Sequence, residues 1–396
     1  SLGLQAEYEK DLDYSPYRRI SKMPVIATAP EGVYVYEGNV ADHLKLFGHN
    51  GSYQKTLYPF PASQLKKVMG LKWGKAPDGH EVVIKESGWH NTLFTSGNND
   101  IGSPSHGEAA TVLAVNGKRI ALALEDLNRM ATDGSSGNLP LKGSHLIQVG
   151  FSHYVNETSG GHHGGAVGMG AAKKMVGPSS MAFSPDGKTL YLTGYIWDNG
   201  GVGYSHQAVF KINYETNEDI SVFAGFNTMT DYGTDDTHFS VPTSVDTDTK
   251  GNVYVSDHMN NRLQIFEPSG KLLKSLSVSK PSKVLIHQKT GEVFVLSWGI
   301  VGVPAELMKK LDYWKDKIPQ KISIFSAFPE MKLKQEYDFP LGPSDISNAV
   351  VSIGTHYQVA LDSWTDNPTI WLVGAGGAAG KGMNEGLYGP DPKIWE

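Results

Sequence analysis

Residues 251–276 read GNVYVSDHMNNRLQIFEPSGKLLKSL. Apolar residues alternate through Val253 and Val255, a polar loop follows, and a second alternation runs through Leu263 and Ile265. Pro268-Ser269-Gly270 then supplies a turn before a last alternating run. A period of two places one set of side chains on one face of a pleated strand, so the stretch reads as consecutive antiparallel strands. Residues 32–58, GVYVYEGNVADHLKLFGHNGSYQKTLY, repeat it with one extra residue in the loop. Val33 falls on Val253, Leu44 on Leu263, Phe47 on Phe266 and Gly51 on Gly270. His49 falls on Pro268, beside an Asn50-Gly51 pair whose tolerance of positive φ marks a tight hairpin.

Weaker copies recur along the chain. Met181 to Phe223 carries a turn at Pro185-Asp186-Gly187-Lys188, a strand TLYLTGY and a later AVFKINY. Val284 to Ile324 carries Lys289-Thr290-Gly291, EVFVLSW and KISIF. Leu71 to Lys85 has a turn at Pro77-Asp78-Gly79, Thr111 to Leu124 one at Asn116-Gly117-Lys118, and Thr369 to Val373 reads TIWLV. About seven units emerge, near the ~40–50-residue period of propeller repeats. One four-stranded sheet cannot bury both faces, whereas a ring of them can. The expectation is an all-β, seven-bladed β-propeller of four-stranded blades, a single domain over residues 1–396. Pro304 to Gln320 breaks the pattern, with Leu307, Leu311, Trp314 and Ile318 at helical spacing, and reads as a helical insertion packed on the flank.

Composition fits this picture and removes other classes. The chain has 396 residues, 39% of them hydrophobic and 19% charged, as in an ordinary globular protein with ample core. Its 45 glycines suit many tight turns. A net charge of −6 without a long charge block argues against a nucleic-acid surface. There are no cysteines, so disulfides and thiolate metal sites are excluded. No apolar run approaches the ~20 residues of a membrane span. The first residue is Ser1, which suggests removal of a signal peptide or truncation, and a secreted or periplasmic bacterial monomer is expected.

In a propeller the a–b and c–d turns emerge on one face, here posterior, and the b–c and d–a connections on the other, anterior. His49 lies at a c–d turn and His80 beside an a–b turn, so both are posterior. His90, His206 and His258 fall near b–c connections. His162, His163 and His238 precede first strands, and His106 with Glu108 joins this anterior set. Imidazoles with a carboxylate bind a divalent ion or act as the base in β-elimination from a uronate. The plainer reading is a polar mouth whose histidines bridge blades and water, because no pair has tight ligand spacing. For His49 the choices are a solvated turn residue or a general base reaching a substrate on a shallow surface.

Other motifs are weak. Gly160-Gly161-His162-His163-Gly164-Gly165 is a flexible or ligand-contacting loop. GAGGAA at 374–379 lacks a following helix, Lys381 is followed by Gly382 rather than Ser or Thr, and no GxSxG elbow occurs. Asp235-Asp236 are adjacent, which on a strand points them to opposite faces.

The run VYVYEGNVADHLKLFGHNGSYQKTLYPFPA, with the repeats after it, resembles glycoside hydrolase family 145 over the whole chain. These are seven-bladed propeller α-L-rhamnosidases acting on the L-rhamnose-α-1,4-D-glucuronate cap of plant arabinogalactan. Related propellers are lyases that break the same linkage. The resemblance implies a single catalytic histidine on the posterior face, matched by His49, with no cofactor required. His49 would activate water at the rhamnose anomeric carbon, and the substrate's own carboxyl would supply the acid. Asn50, Lys75 and His80 are candidate substrate contacts, Lys75 for the uronate. The lyase alternative would use anterior residues such as His106, His163 or His238, with a divalent metal possible in that axial pocket. A third alternative is a non-catalytic NHL-type binding propeller.

Overall fold

The computed structural model describes residues 25–37, 43–58, 62–67, 72–84, 112–123, 127–132, 139–140, 174–198, 202–204, 206–216, 220–228, 230–300, 319–338, 358–373 and 394–395. The first blade is the antiparallel sheet Val25–Ala29, Gly32–Glu37, His43–Phe47 and Tyr53–Tyr58. The second is Val112–Asn116, Arg119–Ala123, Leu127–Ala131 and Leu139–Pro140. Lys174–Phe183, Thr189–Asp198, Gln207–Asn213 and Ser221–Phe226 form the third, with Val202–Tyr204 paired to its second strand. The fourth is Pro242–Thr247, Val253–Asp257, Arg262–Phe266 and Leu272–Ser277. The fifth is Pro281–Ile286, Val293–Ser297, Lys321–Phe325 and Leu333–Asp338. A sixth, three-stranded sheet comprises Gln358–Asp362, Thr369–Val373 and Ile394–Trp395.

The first strands of these six sheets form a closed circuit, each lying beside the next and the sixth beside the first. Six apolar clusters fill the six gaps. Alternation along each strand feeds two of them at once. In the first blade Val25, Ala27, Tyr34, Tyr36 and Leu44 pack against Leu113, Ile120 and Leu122 of the second. The intervening Ile26, Val33, Val35 and Phe47 pack against Ala360 and Trp371 of the sixth sheet. The other gaps are filled in the same way, between second and third, third and fourth, fourth and fifth, and fifth and sixth. Each fully buried aliphatic or aromatic side chain contributes about 1.5–3 kcal/mol by leaving water.

The register of the two founding copies is the same. Val33 pairs with Phe47 as Val253 pairs with Phe266. Both third-to-fourth turns place glycine at positive φ, 79° at Gly51 and 94° at Gly270. At Gly32 a Cβ would meet the Phe47 carbonyl oxygen at 2.0 Å, so only glycine admits this approach of one strand to the next.

The blade count differs from the expected seven: among the described residues there are five four-stranded blades and the three-stranded sheet. The Leu71 to Lys85 copy is a separate two-stranded sheet, Lys72–Lys75 with Glu81–Ile84. The first blade's inner strand lies directly beside that of the second, so this hairpin does not stand between them in the ring. The helical insertion at 304–320 falls almost wholly outside the described residues, and Pro319 and Gln320 are not helical. A 3-10 turn at Ala62–Lys67 is the helical element among the described residues. No helix there is long and apolar enough to cross a membrane.

Phe47 is fully buried at the junction of first and sixth sheets. Phe47→Ala should cost about 3–5 kcal/mol in chemical denaturation. A loss below about 1 kcal/mol would show that this junction does not hold the ring.

Candidate functional site

His49 sits in the turn between the third and fourth strands of the first blade. The turn is closed by Gly48 N–H to Ser52 O, 2.7 Å, and Gly51 N–H to Gly48 O, 2.8 Å. Asn50 fastens it, its Oδ1 accepting from Ser52 N, 3.0 Å, and from Ser52 Oγ, 2.6 Å. That side-chain oxygen therefore serves the turn. The matching turn of the fourth blade has the same backbone bonds, Glu267 N–H to Lys271 O and Gly270 N–H to Glu267 O, both 2.9 Å. The imidazole that replaces Pro268 reaches out of its own blade.

Its Nδ1 lies 2.7 Å from Asp362 Oδ2 and its Nε2 lies 3.0 Å from the Pro30 carbonyl. Asp362 ends the inner strand of the sixth sheet, and its side chain is completely buried, whereas that of His49 is 27% exposed. Asp362 Oδ1 also accepts from Trp364 N, 3.2 Å. A carbonyl and a carboxylate only accept, so both ring nitrogens donate in this arrangement and the ring is an imidazolium. Burial pushes its pKa down, but the bonds to Asp362 and Pro30 outweigh that and the value is raised above the ordinary 6.5. Pro30 lies in the turn after the first blade's inner strand, so the group is posterior, as expected from position. Lys289, in the corresponding turn of the fifth blade, donates to Trp364 O, 2.7 Å, and its charge is felt by His49.

Lys75 and His80 belong to the separate hairpin, both exposed. His80 pairs with Asp78, two residues away. Among the described residues no hydrogen bond or ion pair joins this hairpin to His49.

The described anterior histidines occupy three different settings. His258 lies in the turn after the fourth blade's second strand, fully buried, with Nδ1 3.2 Å from both Pro281 O and Ser282 Oγ. His206 is buried and meets the Phe210 ring edge-on at 5.7 Å. His238 stacks on Phe226 at 4.4 Å, with Nδ1 2.8 Å from Asp235 Oδ2 and Nε2 3.4 Å from Asp231 Oδ1. The bond to Asp235 raises the His238 pKa against the opposing effect of burial. Arg262 anchors the loop beneath, donating to Asp257 Oδ2, 2.8 Å, and to the carbonyls of Thr234, Asp235 and His238. Asp236 lies apart from Asp235, 3.8 Å from Arg262 Nη1. His90, His106, Glu108, His162 and His163 lie outside the described residues, among which no group of three His, Asp or Glu side chains is placed to hold a metal.

Sequence reasoning missed Asp362 and Lys289. Asp362 is 313 residues from His49, and an aspartate ending a strand before a turn is too common to single out. Lys289 was visible only as part of a Lys-Thr-Gly turn.

Titration of His49 by NMR should give a value above 6.5, and Asp362→Asn should lower it, because burial and Lys289 are then opposed by the Pro30 bond without the carboxylate. An unchanged value would contradict the pairing. A raised folded-state value stabilises the fold fully below the unfolded value and loses that contribution as pH rises through the folded one. The stability gap between wild type and His49→Gln should therefore be larger at about pH 5.5 than at about pH 8.5.

No protein-family model matches the chain, and no curated protein matches it. Solved structures of similar chain path include a streptogramin B lyase, 12% identical, covering 90% of this chain and 77% of that one with a TM-score of 0.41. Virginiamycin B lyase from Staphylococcus aureus is also 12% identical, covering 88% and 91% with a TM-score of 0.40. A protein of unknown function from Bacteroides caccae is 8% identical, covering 88% and 82% with a TM-score of 0.35. The circuit of sheets itself establishes the propeller.

Proposed function

We propose that this propeller is a secreted or periplasmic glycoside hydrolase releasing L-rhamnose from L-rhamnose-α-1,4-D-glucuronate ends of arabinogalactan, with His49 as the catalytic base. The observation that carries the reading is the seating of a partly exposed imidazole on a completely buried carboxylate at the posterior rim. A base held by an orienting acid is the arrangement such chemistry needs. The substrate class comes from the family resemblance.

In this mechanism Nδ1–H stays on Asp362 while Nε2 gives up its proton and its bond to Pro30. The freed lone pair takes a proton from water as the water oxygen attacks the anomeric carbon. The bond from that carbon to glucuronate O4 breaks, and O4 takes the proton of the adjacent carboxyl group. Transfer of the imidazolium proton to solvent resets the ring. The reading takes Lys289 in place of Lys75 as the uronate contact, because its charge acts on His49 while Lys75 belongs to the separate hairpin. Ordinary glycosidases flank the bond with two carboxylates, and here one histidine and the substrate's acid replace them.

A second reading has its own observation. Both ring nitrogens already face acceptors, which also suits a non-catalytic propeller in which His49 latches the first blade to the sixth sheet. Incubation with a rhamnose-capped glucuronide separates them. Hydrolysis predicts free rhamnose without absorbance of a conjugated alkene, and loss of about 10²–10⁴-fold in turnover for His49→Ala. Because the neutral ring and the protonated substrate carboxyl are needed together, activity should be level between the carboxyl and His49 pKa values and fall as pH rises above that of His49. No product favours the latch. An alkene signal unaffected by His49→Ala would overturn the hydrolase and move the chemistry to the anterior face.

A further inference from the structure

The turn that carries Lys289 is capped by an imidazole. It joins the first and second strands of the fifth blade and is closed by His287 N–H to Glu292 O, 2.9 Å, and Gly291 N–H to His287 O, 2.8 Å. His287 is buried, and its Nδ1 accepts from Lys289 N and Thr290 N, both 3.2 Å. A ring nitrogen that accepts carries no proton, so this imidazole is neutral. Burial pushes its pKa below 6.5 against the opposing charge of Glu292. Glu292 is itself paired with Lys334 and accepts from Thr290 Oγ1, 3.0 Å.

The fourth blade builds the same turn with a different cap. Asp248 N–H to Asn252 O, 3.1 Å, and Gly251 N–H to Asp248 O, 3.0 Å, close it. Asp248 Oδ1 accepts from Lys250 N and Asn252 N, both 2.9 Å. Short carboxylate side chains are the ordinary caps of such turns. His287 therefore does with a neutral ring what Asp248 does with a carboxyl group. The exchange falls where charge matters. Gln288 N reaches Ser363 Oγ, 3.2 Å, and Lys289 Nζ donates to Trp364 O, 2.7 Å, so the turn is pinned to the sixth sheet beside Asp362. The Lys289 charge acts on His49 there and lowers its pKa. A carboxylate at position 287 would bind the lysine's own N–H and offset that charge.

We propose that His287 is a positioning residue, which holds Lys289 beside His49 without adding negative charge and so keeps the posterior site cationic for the carboxylate of a uronate. The uronate rests on the hydrolase reading, whereas the placement of Lys289 does not.

Two NMR measurements at fixed ionic strength test this: the pH titration of His49, and the response of its signals to sodium glucuronate with glucose as the neutral control. His49 titrates above 6.5, where His287 is neutral, so the two rings do not interfere. His287→Asn supplies a neutral acceptor and should leave both readouts close to wild type. His287→Leu removes the acceptor; it should raise the His49 value toward that of Lys289→Met and weaken glucuronate binding about tenfold, because the lysine is released. His287→Asp keeps the turn and adds a charge, and should likewise raise the His49 value and weaken glucuronate. Should His287→Leu fail to fold, the contrast between His287→Asn and His287→Asp decides. A His49 titration unchanged in His287→Leu would overturn the positioning, and His287→Asp matching His287→Asn would overturn the role of charge. Glucuronate binding no tighter than glucose in the wild type would overturn the uronate. Glucuronate binding without rhamnose release would uphold this inference and remove the hydrolase alone.

Discussion

The inner edge of every blade sets the central constraint. A blade's first strand pairs with its second on one side, which leaves backbone N–H and C=O groups along the axis without a strand partner. Short polar side chains of the neighbouring blade fill them. Ser180 Oγ accepts from Val245 N, 3.0 Å, Ser244 Oγ from Val284 N, 3.2 Å, and Asp246 Oδ2 from Ile286 N, 2.7 Å. Thr28 Oγ1 donates to Leu361 O, 2.7 Å, and Thr247 Oγ1 to Phe183 O, 2.6 Å. Each bond is worth only about 1 kcal/mol net, but a buried group left without one costs about 1–3 kcal/mol. The six apolar clusters supply the driving force, and these bonds fix the register of blade on blade.

The posterior site grows from this constraint. The posterior pair of His49 and Asp362 lies at the junction of first and sixth sheets, where Thr28 and Leu361 also join. The same contact that closes the circuit orients the imidazole. Lys289 and Trp364 tie the fifth blade to the sixth sheet next to it, and Gln288 N reaches Ser363 Oγ, 3.2 Å. The posterior group is therefore held by three blades. Ser180 and Ser244, which satisfy their neighbours' backbones, are wholly buried, and Lys283 reaches Ser180 from the fifth blade.

Much of the fold was legible in the sequence because alternation reports burial directly. The alignment of Val33 and Phe47 with Val253 and Phe266 is the observed pairing, residue for residue. The blade number was not legible. Pro77-Asp78-Gly79 closes a hairpin that no third strand joins among the described residues, with the same turn chemistry that Pro185-Asp186-Gly187 uses inside a blade. A turn signal is local, and whether a third strand joins is decided by packing. For the site, position along the repeat placed His49 on the posterior face, but nothing local in sequence points from His49 to Asp362. Lys75 and His80 were grouped with it on turn logic alone, which cannot reveal that their hairpin lies outside the ring.

The claim that one pair both closes the ring and orients the ring nitrogen is tested most directly by a double-mutant cycle. His49→Ala, Asp362→Ala and the double variant would be compared for rhamnose release and for stability at one pH. Strong coupling is expected in both readouts, with the double variant no worse than the single ones, since either change already breaks the pair. Additive effects would contradict the account, because His49 and Asp362 would then act independently.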